Sequence, residues 1–349
     1  MYELQGIPLF VYGNSYTQPP VSGRATIGGD WPARVASRLH MGALANRGLS
    51  GSVMGQVAYE INNNVSGATP SRTWSQGTRG LVVIEEVVND CVTFGSSAKA
   101  QTAYAMALRT CIELLSAGTR YDAPNAAFSY TGTWTSGTAW LKNSGKRSTV
   151  NGSKVTFSVT GDAVTLYWMG NTGTTDYVTA TVKSGGVQVA TIDTRNQMDA
   201  YNSPGSVGTG IDVNLCCTRL TGLGAGTHSI EVALTSVVGT KGFYFDGYST
   251  PAAEPPQIIL VKEGIISSYL PNGSDAARTA FNGIIGTVAA EYPANVSVAD
   301  PGANWDSSCL YPNDGVGNHP NDKGNSVLAD AVADAALALG FRNGMHILS

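Results

Sequence analysis

The sequence predicts a mixed α/β protein in which a parallel-sheet domain is interrupted by an antiparallel β-sandwich. Residues 1–120 alternate buried-strand and helix patterns. Residues 121–252 lose helical periodicity and show short alternating segments separated by Gly- and Asn-rich turns. The strand–helix alternation resumes over 253–349. A structureless loop of about 130 residues is implausible inside a compact domain, so we interpret the middle segment as a β-sandwich inserted into a surface loop of a discontinuous α/β domain.

In the first part, short apolar runs predict strands and one-sided apolar periodicity predicts helices. The predicted strands are 7–12, 43–45 and 81–88, the last being rich in β-branched residues, as in a parallel strand covered on both faces. The predicted helices are 31–39 after a capping Asp30, 52–61, and 98–115, which Gly118 ends.

The middle and last parts differ in texture. Alternating segments that predict antiparallel strands are 154–159, 163–168, 177–182, 187–192, 229–234 and 242–245. After a proline-rich return at 251–256, the α/β pattern predicts a strand at 257–261, a helix at 274–290, a strand at 295–298 and a helix at 325–339.

Composition excludes several classes of function. The 349 residues carry a net charge of −4 without a basic run, so a nucleic-acid partner is not expected. No stretch reaches the ~18 apolar residues of a membrane span. The first five residues lack the basic start of a signal peptide, so an extracellular protein would have lost its signal or would leave by another route. The five cysteines show no metal-ligand spacing, and neither a metal nor a cofactor is expected.

Two segments at opposite ends of the chain carry residues suited to nucleophilic catalysis. Ser15 lies in a Gly-led turn directly after the first predicted strand, where catalytic groups of α/β sheets gather. His319 lies in a Gly/Asn-rich loop before the last helix, and imidazole is the usual base for a serine nucleophile. A carboxylate a few residues upstream, such as Asp314, could orient that ring.

These segments resemble blocks of the SGNH (GDSL-like) hydrolase family. The similar segments occur in the family's order: 13–17 (GNSYT), 46–51 (NRGLSG), 88–90 (VND) and 314–324 (DGVGNHPNDKG). The resemblance covers about 1–120 and 255–349. It implies a flavodoxin-like three-layer parallel-sheet domain and a serine esterase that needs no cofactor.

The resemblance also implies roles for particular residues. Ser15 would be the nucleophile, His319 its base and Asp314 the triad acid. The oxyanion hole would be formed by the backbone N–H groups of Ser15 and Gly48 and by the side-chain amide of Asn89.

Three departures from the family pattern affect this assignment. Asn14 stands where the family usually has Asp, a residue outside the triad. Val87 replaces a usual Gly and is expected to reshape the oxyanion pocket. Five steps instead of three separate Asp314 from His319, so Asp306 stays open as the alternative acid. We expect Asp322 to cap the last helix.

The insert resembles carbohydrate-binding jelly rolls more loosely, at 128–134, 224–232 and 243–247. An esterase with such a module suggests a polymeric substrate, such as O-acyl (acetyl) esters of a polysaccharide or cell-envelope glycan, and thus a carbohydrate deacetylase. The aromatic residues of the insert fit either sugar stacking or a sandwich core: Trp134, Trp140, Tyr167 and Trp168.

Two alternatives to a glycan esterase stay open. The first is a glycan-binding or structural virion protein, such as a phage tail component, on an esterase scaffold with little turnover. The second is an acyltransferase with the same triad. In each case we expect an extracellular location, secreted or virion-associated, with homo-oligomer formation or virion assembly as open questions.

Overall fold

A computed structural model describes most of the chain. The described residues are 7–18, 30–65, 80–136, 145–171, 175–195, 213–266, 273–311 and 319–342. The predicted triad acid Asp314 and the aromatic residue Trp140 lie outside these ranges.

The helices and strands follow the predicted division of the chain into an α/β part, an all-β middle and a second α/β part. The first part contains β1 Leu9–Gly13, α1 Trp31–Arg38, β2 Leu44–Gly48, α2 Met54–Val65, β3 Leu81–Glu85, α3 Val88–Phe94 and α4 Ala98–Leu115. The middle contains β4 Ala117–Asp122, β5 Ser129–Thr131, β6 Thr135–Ser136, β7 Lys146–Ser148, β8 Lys154–Thr160, β9 Val164–Asn171, β10 Tyr177–Ser184, β11 Val187–Asp193, β12 Val213–Leu220, β13 Thr227–Val238 and β14 Phe243–Pro251. The last part contains β15 Gln257–Val261, α5 Asp275–Ala290, β16 Val296–Ala299 and α6 Asp322–Arg342.

Strands from both ends of the chain form one parallel sheet, with the order β16-β15-β3-β1-β2. Counted within this sheet, the order is 2-1-3-4-5, one of the two common orders of doubly wound sheets. The carboxyl ends lie at one edge, because Gly13 is in register with Gly48 and Glu85, and Glu85 with Val261. Loops that follow these strands therefore meet at this edge.

Helices cover both faces of the parallel sheet. Leu9 and Val11 of β1 pack in a core with α1 and α6, whereas Phe10 and Tyr12 pack in a core with α2, α4 and α5. This alternation follows from the period of two in a strand. The prediction of a mixed α/β protein with a buried parallel sheet is confirmed.

Two antiparallel sheets enclose a separate core in the middle segment. Their orders are β11-β10-β13-β8-β5 and β12-β9-β14-β7-β6, and β4 is the sixth strand of the second sheet, paired with β14. Antiparallel strands were predicted here. Trp168 belongs to the sandwich core, and Tyr167 belongs to the core beneath α2 and α4, so both are packing residues. Trp134 is half-buried and its ring centroid lies 5.2 Å from that of Tyr130.

The sandwich and the α/β part share hydrophobic core. Met169 of β9 and the two β12 residues Leu215 and Cys217 pack with α2 and α4, while Leu166 and Cys216 face the sandwich interior. Both faces of β9 and of the first half of β12 are covered, so successive residues are buried there.

Several element boundaries differ from those predicted. β3 ends at Glu85, and the run predicted to continue to Val88 instead turns into α3, which was not predicted. β4 begins at Ala117, directly after the last helix turn, and β12 was missed because it does not alternate. α6 begins at Asp322 instead of 325.

A buried ion pair lies where the sandwich meets the α/β part. Arg120 of β4 pairs with Asp246 of β14, and their side chains are only 4% and 2% exposed. Arg120 also donates to the side chain of Asn62 in α2 and stacks over the Tyr167 ring at 4.7 Å. Arg109 of α4 pairs with Glu291, and the Arg109 side chain is 33% exposed.

We predict that Arg120→Ala destabilises the protein by about 3–5 kcal/mol, because it leaves Asp246 charged, buried and without its cation. Arg109→Ala is the matched control and should cost about 0–1 kcal/mol, since exposed ion pairs contribute little. Urea unfolding followed by tryptophan fluorescence measures both. Equal losses for the two variants would contradict a role of Arg120 in joining the two parts.

Candidate active site

Ser15 occupies a tight turn directly after β1. The N–H groups of Thr17 and Gln18 donate to the Asn14 carbonyl at 3.1 and 3.0 Å. Ser15 is half-buried between two buried neighbours. Gly13 is required here, because a Cβ at this position would lie 2.2 Å from the Glu85 carbonyl oxygen. The turn therefore rests directly on the end of β3.

His319 reaches the same edge of the sheet from the other end of the chain. Leu310 and Pro320 form an antiparallel bridge, and Tyr311 N donates to the His319 carbonyl at 2.9 Å. The imidazole centroid lies 5.8 Å from the ring centroid of Tyr16, the residue after Ser15. The structure thus brings the predicted base beside the turn of the predicted nucleophile.

No described residue hydrogen-bonds Ser15 Oγ, His319 included. Catalytic hydrogen bonds are often long or misaligned before substrate binds. The structure shows a half-buried serine and, beside its turn, the imidazole of His319.

Asp306, the alternative triad acid, is committed to other groups. Its carboxylate accepts from the Ser308 N–H at 2.8 Å and from Lys323 Nζ at 3.0 Å. Hydrogen bonds from Ser308 and the nearby Lys323 ammonium lower the pKa of Asp306 to about 2. Both oxygens are thereby occupied by donors other than an imidazole.

Two asparagines fix the loop that carries His319. Asn321 Nδ2 donates to the Leu310 carbonyl at 3.0 Å, and its Oδ1 accepts from Gly324 N at 3.1 Å. Asn325 donates to the Pro320 carbonyl at 3.2 Å. Asn321 is therefore the residue that caps α6. The expectation for Asp322 was wrong, since it lies in the first helical turn and pairs with Arg34.

The Gly48 N–H, predicted to bind an oxyanion, has a different partner. It donates to Asn46 Oδ1 at 2.9 Å, and Asn46 Nδ2 donates to the Thr17 carbonyl at 2.6 Å. A Cβ on Gly48 would lie 2.3 Å from Gln18 N. Gly48 is therefore a close-approach residue, and its N–H would have to leave Asn46 to reach a substrate.

Asn89 lies in the first turn of α3, half-buried at the same edge. Its Nδ2 donates to the Ser52 carbonyl at 2.8 Å. A side-chain amide carries two N–H donors, so this bond uses one of them. The bond also places the Ser52 carbonyl beside Asn89, a neighbour that the sequence analysis did not single out. Val87 is 1% exposed and packs in the core beneath the helices, so its side chain does not line an open pocket.

Glu85, at the end of β3, holds the turn that carries Ser15. Its Oε1 accepts from Asn14 Nδ2 at 3.2 Å and its Oε2 from Thr17 Oγ1 at 2.9 Å. Asn14 and Thr17 are fully buried, and Glu85 is 3% exposed. The sequence analysis missed this residue because it falls inside an apolar run that predicts a strand.

The next two acids hold the loop between β2 and α2. Glu86 Oε2 accepts from Ser52 Oγ at 3.0 Å, and the same hydroxyl lies 3.1 Å from the Gly13 carbonyl. Asp90 Oδ2 accepts from Met54 N at 2.7 Å. The end of β3 and the start of α3 therefore organise the loops on both sides of Asn89.

Burial perturbs the pKa of every carboxyl in this group. It raises the pKa of Glu85 and of Glu86 well above the usual range, reinforced by Glu263 in the first case and by Asp90 in the second. Burial raises the pKa of Asp90 to about 7 and that of Glu263 to about 8, the latter opposed by the charge of Arg278. Several of these groups therefore hold protons near neutral pH.

Within the described ranges, no group of three or more His, Cys, Asp or Glu side chains is placed to hold a metal ion. Nor does any helix there combine the length and apolar character that a bilayer span requires.

The chain matches no protein-family model and no curated protein. Among solved structures it is similar to a member of the lipolytic protein G-D-S-L family from Veillonella parvula, with 12% identity, a TM-score of 0.43, and coverage of 94% of this chain and 97% of the other. A two-domain esterase active on acetylated mannans, co-crystallised with mannopentaose, gives 12% identity, a TM-score of 0.37, and coverage of 72% and 92%. A carbohydrate-binding module CBM36 in complex with calcium and xylotriose gives 20% identity and a TM-score of 0.27, with coverage of 38% of this chain and 98% of the other. Matches at this level do not establish a family.

The raised pKa values predict that the protein loses stability as pH rises. The unfolded chain releases these protons near the ordinary carboxyl pKa of about 4, whereas the folded protein keeps them to higher pH. The free energy of unfolding should therefore fall from about pH 5 to about pH 8, where Glu263 ionises. Urea unfolding at each pH measures this slope.

The matched variants for this prediction are Glu263→Gln and Glu231→Gln. The first removes a buried titrating group and should flatten the slope, whereas Glu231 lies on the sandwich with a side chain 26% exposed and should leave it unchanged. An identical slope in wild type and Glu263→Gln would show that the cluster does not titrate as described.

Proposed function

We propose that this protein is a serine ester hydrolase of the SGNH type, with Ser15 as nucleophile, His319 as base and Asp314 as the acid that orients the imidazole. The observation that carries the proposal is the convergence of the Ser15 turn and the His319 loop, with 5.8 Å between the Tyr16 and His319 rings, at the carboxyl edge of the parallel sheet. Asn89 lies at the same edge, where ligands of open α/β sheets bind.

In this reaction, His319 takes the proton of Ser15 as Oγ attacks the ester carbonyl carbon. The bond to the carbonyl oxygen opens, and negative charge develops on that oxygen. The imidazolium then returns its proton to the leaving alcohol as the ester C–O bond breaks. Water, deprotonated by the same imidazole, releases the acid from the acyl-enzyme.

The developing oxyanion needs donors that already point at it. We assign this role to the N–H of Ser15 and to the second N–H of Asn89. The N–H of Gly48, at the end of β2, is bound to Asn46. In the loop after β2, the carbonyl of Ser52, the residue after Gly51, accepts from Asn89. We therefore add the Gly51 N–H to the candidate donors, alongside Gly48.

For the substrate we propose O-acyl, chiefly acetyl, esters of a polysaccharide or cell-envelope glycan, encountered outside the cell. The support is the sandwich itself, whose strands β9 and β12 share hydrophobic core with the α/β part. In this proposal residues 121–252 form a carbohydrate-binding jelly roll that is inserted into a discontinuous α/β domain. Trp134, half-buried with its ring tilted against that of Tyr130, is the described aromatic residue to which we assign contact with a sugar ring.

A second function, glycan binding with little turnover in a structural or virion protein, is favoured by one observation. The Gly48 N–H, which the family resemblance assigns to the oxyanion hole, is bound to Asn46. Such a protein would bind an acylated glycan without cleaving it.

We predict that Ser15→Ala and His319→Ala each reduce kcat for p-nitrophenyl acetate by at least about 10³-fold, because the two residues act as a unit. Wild-type kcat/KM should rise with pH through about 6.5, since only neutral imidazole accepts the serine proton. Wild-type hydrolysis no faster than Ser15→Ala, in folded protein, would leave the binding function.

The triad acid is tested by a matched pair of variants. We predict that Asp314→Asn lowers kcat by up to about 10⁴-fold, as expected when the imidazole loses its orienting carboxylate. Asp306→Asn should leave kcat within about threefold, because Asp306 binds Ser308 and Lys323. The reverse order would reassign the acid.

Acetate release from an acetylated polysaccharide, with and without an added sugar acceptor, separates hydrolysis from acyl transfer.

A further inference from the structure

Both anchors of the Ser15 turn bind the two oxygens of one carboxyl group. Asn14, immediately before Ser15, donates through Nδ2 to Glu85 Oε1 at 3.2 Å. Thr17 donates through Oγ1 to Glu85 Oε2 at 2.9 Å. All three side chains are buried, so these bonds have no competition from water.

Asn14 also transmits the position of Glu85 to the backbone of the turn. Its Oδ1 accepts from the N–H of Tyr16 at 2.7 Å. The side-chain amide of Asn14 is therefore oriented, with oxygen toward the backbone and nitrogen toward the carboxyl. A side chain at position 14 must both accept from the turn and donate to Glu85.

We infer that Glu85 is a positioning residue for Ser15, which fixes the nucleophile turn by accepting hydrogen bonds from Asn14 and Thr17, and that residue 14 serves as the donor in this pair. This inference rests on the proposed function, since it assigns Glu85 a task in orienting the proposed nucleophile.

The surroundings of Glu85 explain why a donor is needed at position 14. The groups that face or flank the carboxyl from neighbouring elements are Glu86 and Asp90 after β3, Glu263 after β15, Tyr104 of α4 and Arg278 of α5. Carboxyls outnumber the single cation, so another carboxylate beside Glu85 would be accommodated only while it shares a proton.

The hydrogen bond between residues 14 and 85 can be tested by exchanging its amide and carboxyl groups. Asn14→Asp places two carboxyl groups about 3.2 Å apart, joined by a proton at low pH and mutually repelling once it is lost. Adding Glu85→Gln reverses the pair, since the new amide can donate to the new carboxylate and still accept from Thr17. The double variant should therefore recover what Asn14→Asp loses.

The experiment measures kcat and KM for p-nitrophenyl acetate, together with the thermal midpoint, from about pH 5.5 to about pH 8.5. The ratio of the Asn14→Asp kcat to the wild-type kcat at the same pH should fall at least about tenfold between the lowest and the highest pH. The KM of the variant should stay within about twofold of the wild-type KM. The double variant should stay within about threefold of wild type throughout. The thermal midpoints should follow the same order.

Thr17 offers an independent test should Asn14→Asp fail to fold. Thr17→Val removes the donor to Glu85 and should lower kcat about tenfold with little change in KM, whereas Thr17→Ser keeps the donor and should retain activity. Glu113→Gln is the control for a buried glutamate away from the site. Its carboxylate accepts from Thr165 at 2.5 Å, so this variant should alter stability without changing the pH profile of kcat.

The outcomes separate this inference from the proposed function. The positioning role is overturned if wild type is active and Asn14→Asp shows the same pH profile of kcat. It is also overturned if Thr17→Val and Thr17→Ser are equally active. Midpoints in the expected order, in a protein whose wild type is no faster than Ser15→Ala, would overturn the esterase proposal and with it any role of the pair in catalysis.

Discussion

Buried carboxyl groups at the carboxyl end of β3 are the constraint on which the candidate site depends. Glu85, Glu86 and Asp90 are each at most 4% exposed, and a carboxyl in that environment must be hydrogen-bonded or protonated. Their hydrogen bonds go to the Ser15 turn after β1 and to the Ser52 loop after β2. The central strand thereby determines where the flanking loops lie, and the geometry of the site follows from the order of strands in the sheet.

The same edge receives a loop from the far end of the chain. The Leu310–Pro320 bridge and the side chains of Asn321 and Asn325 hold the His319 loop against the start of α6. Asn325 Oδ1 also accepts from Trp31 N, so the first and last helices are joined beside the site. The inserted sandwich adds a second constraint, because β9 and β12 bury one face in its interior and the other beneath α2 and α4.

Sequence patterns predicted the parallel strands and long helices well, because buried β-branched runs and one-sided helices are local signals. They failed where burial comes from both sides or from distant partners. β12 does not alternate, since Leu215 and Cys216 face different cores. Glu85 fell inside the predicted strand 81–88, and nothing local indicates that donors 68 and 71 residues away bind it. Ser15 and His319 were identified from short motifs, whereas the partner of the Gly48 N–H depends on side-chain geometry at Asn46.

The proposed function depends most directly on Ser15 being a nucleophile activated by His319. Reaction with a fluorophosphonate, followed by intact-mass measurement and peptide mapping, tests it without knowledge of the natural substrate. We predict one adduct, on Ser15, absent in Ser15→Ala and formed at least about 10²-fold more slowly in His319→Ala. Labelling of another serine with Ser15 untouched, or equal rates in wild type and His319→Ala, would contradict it.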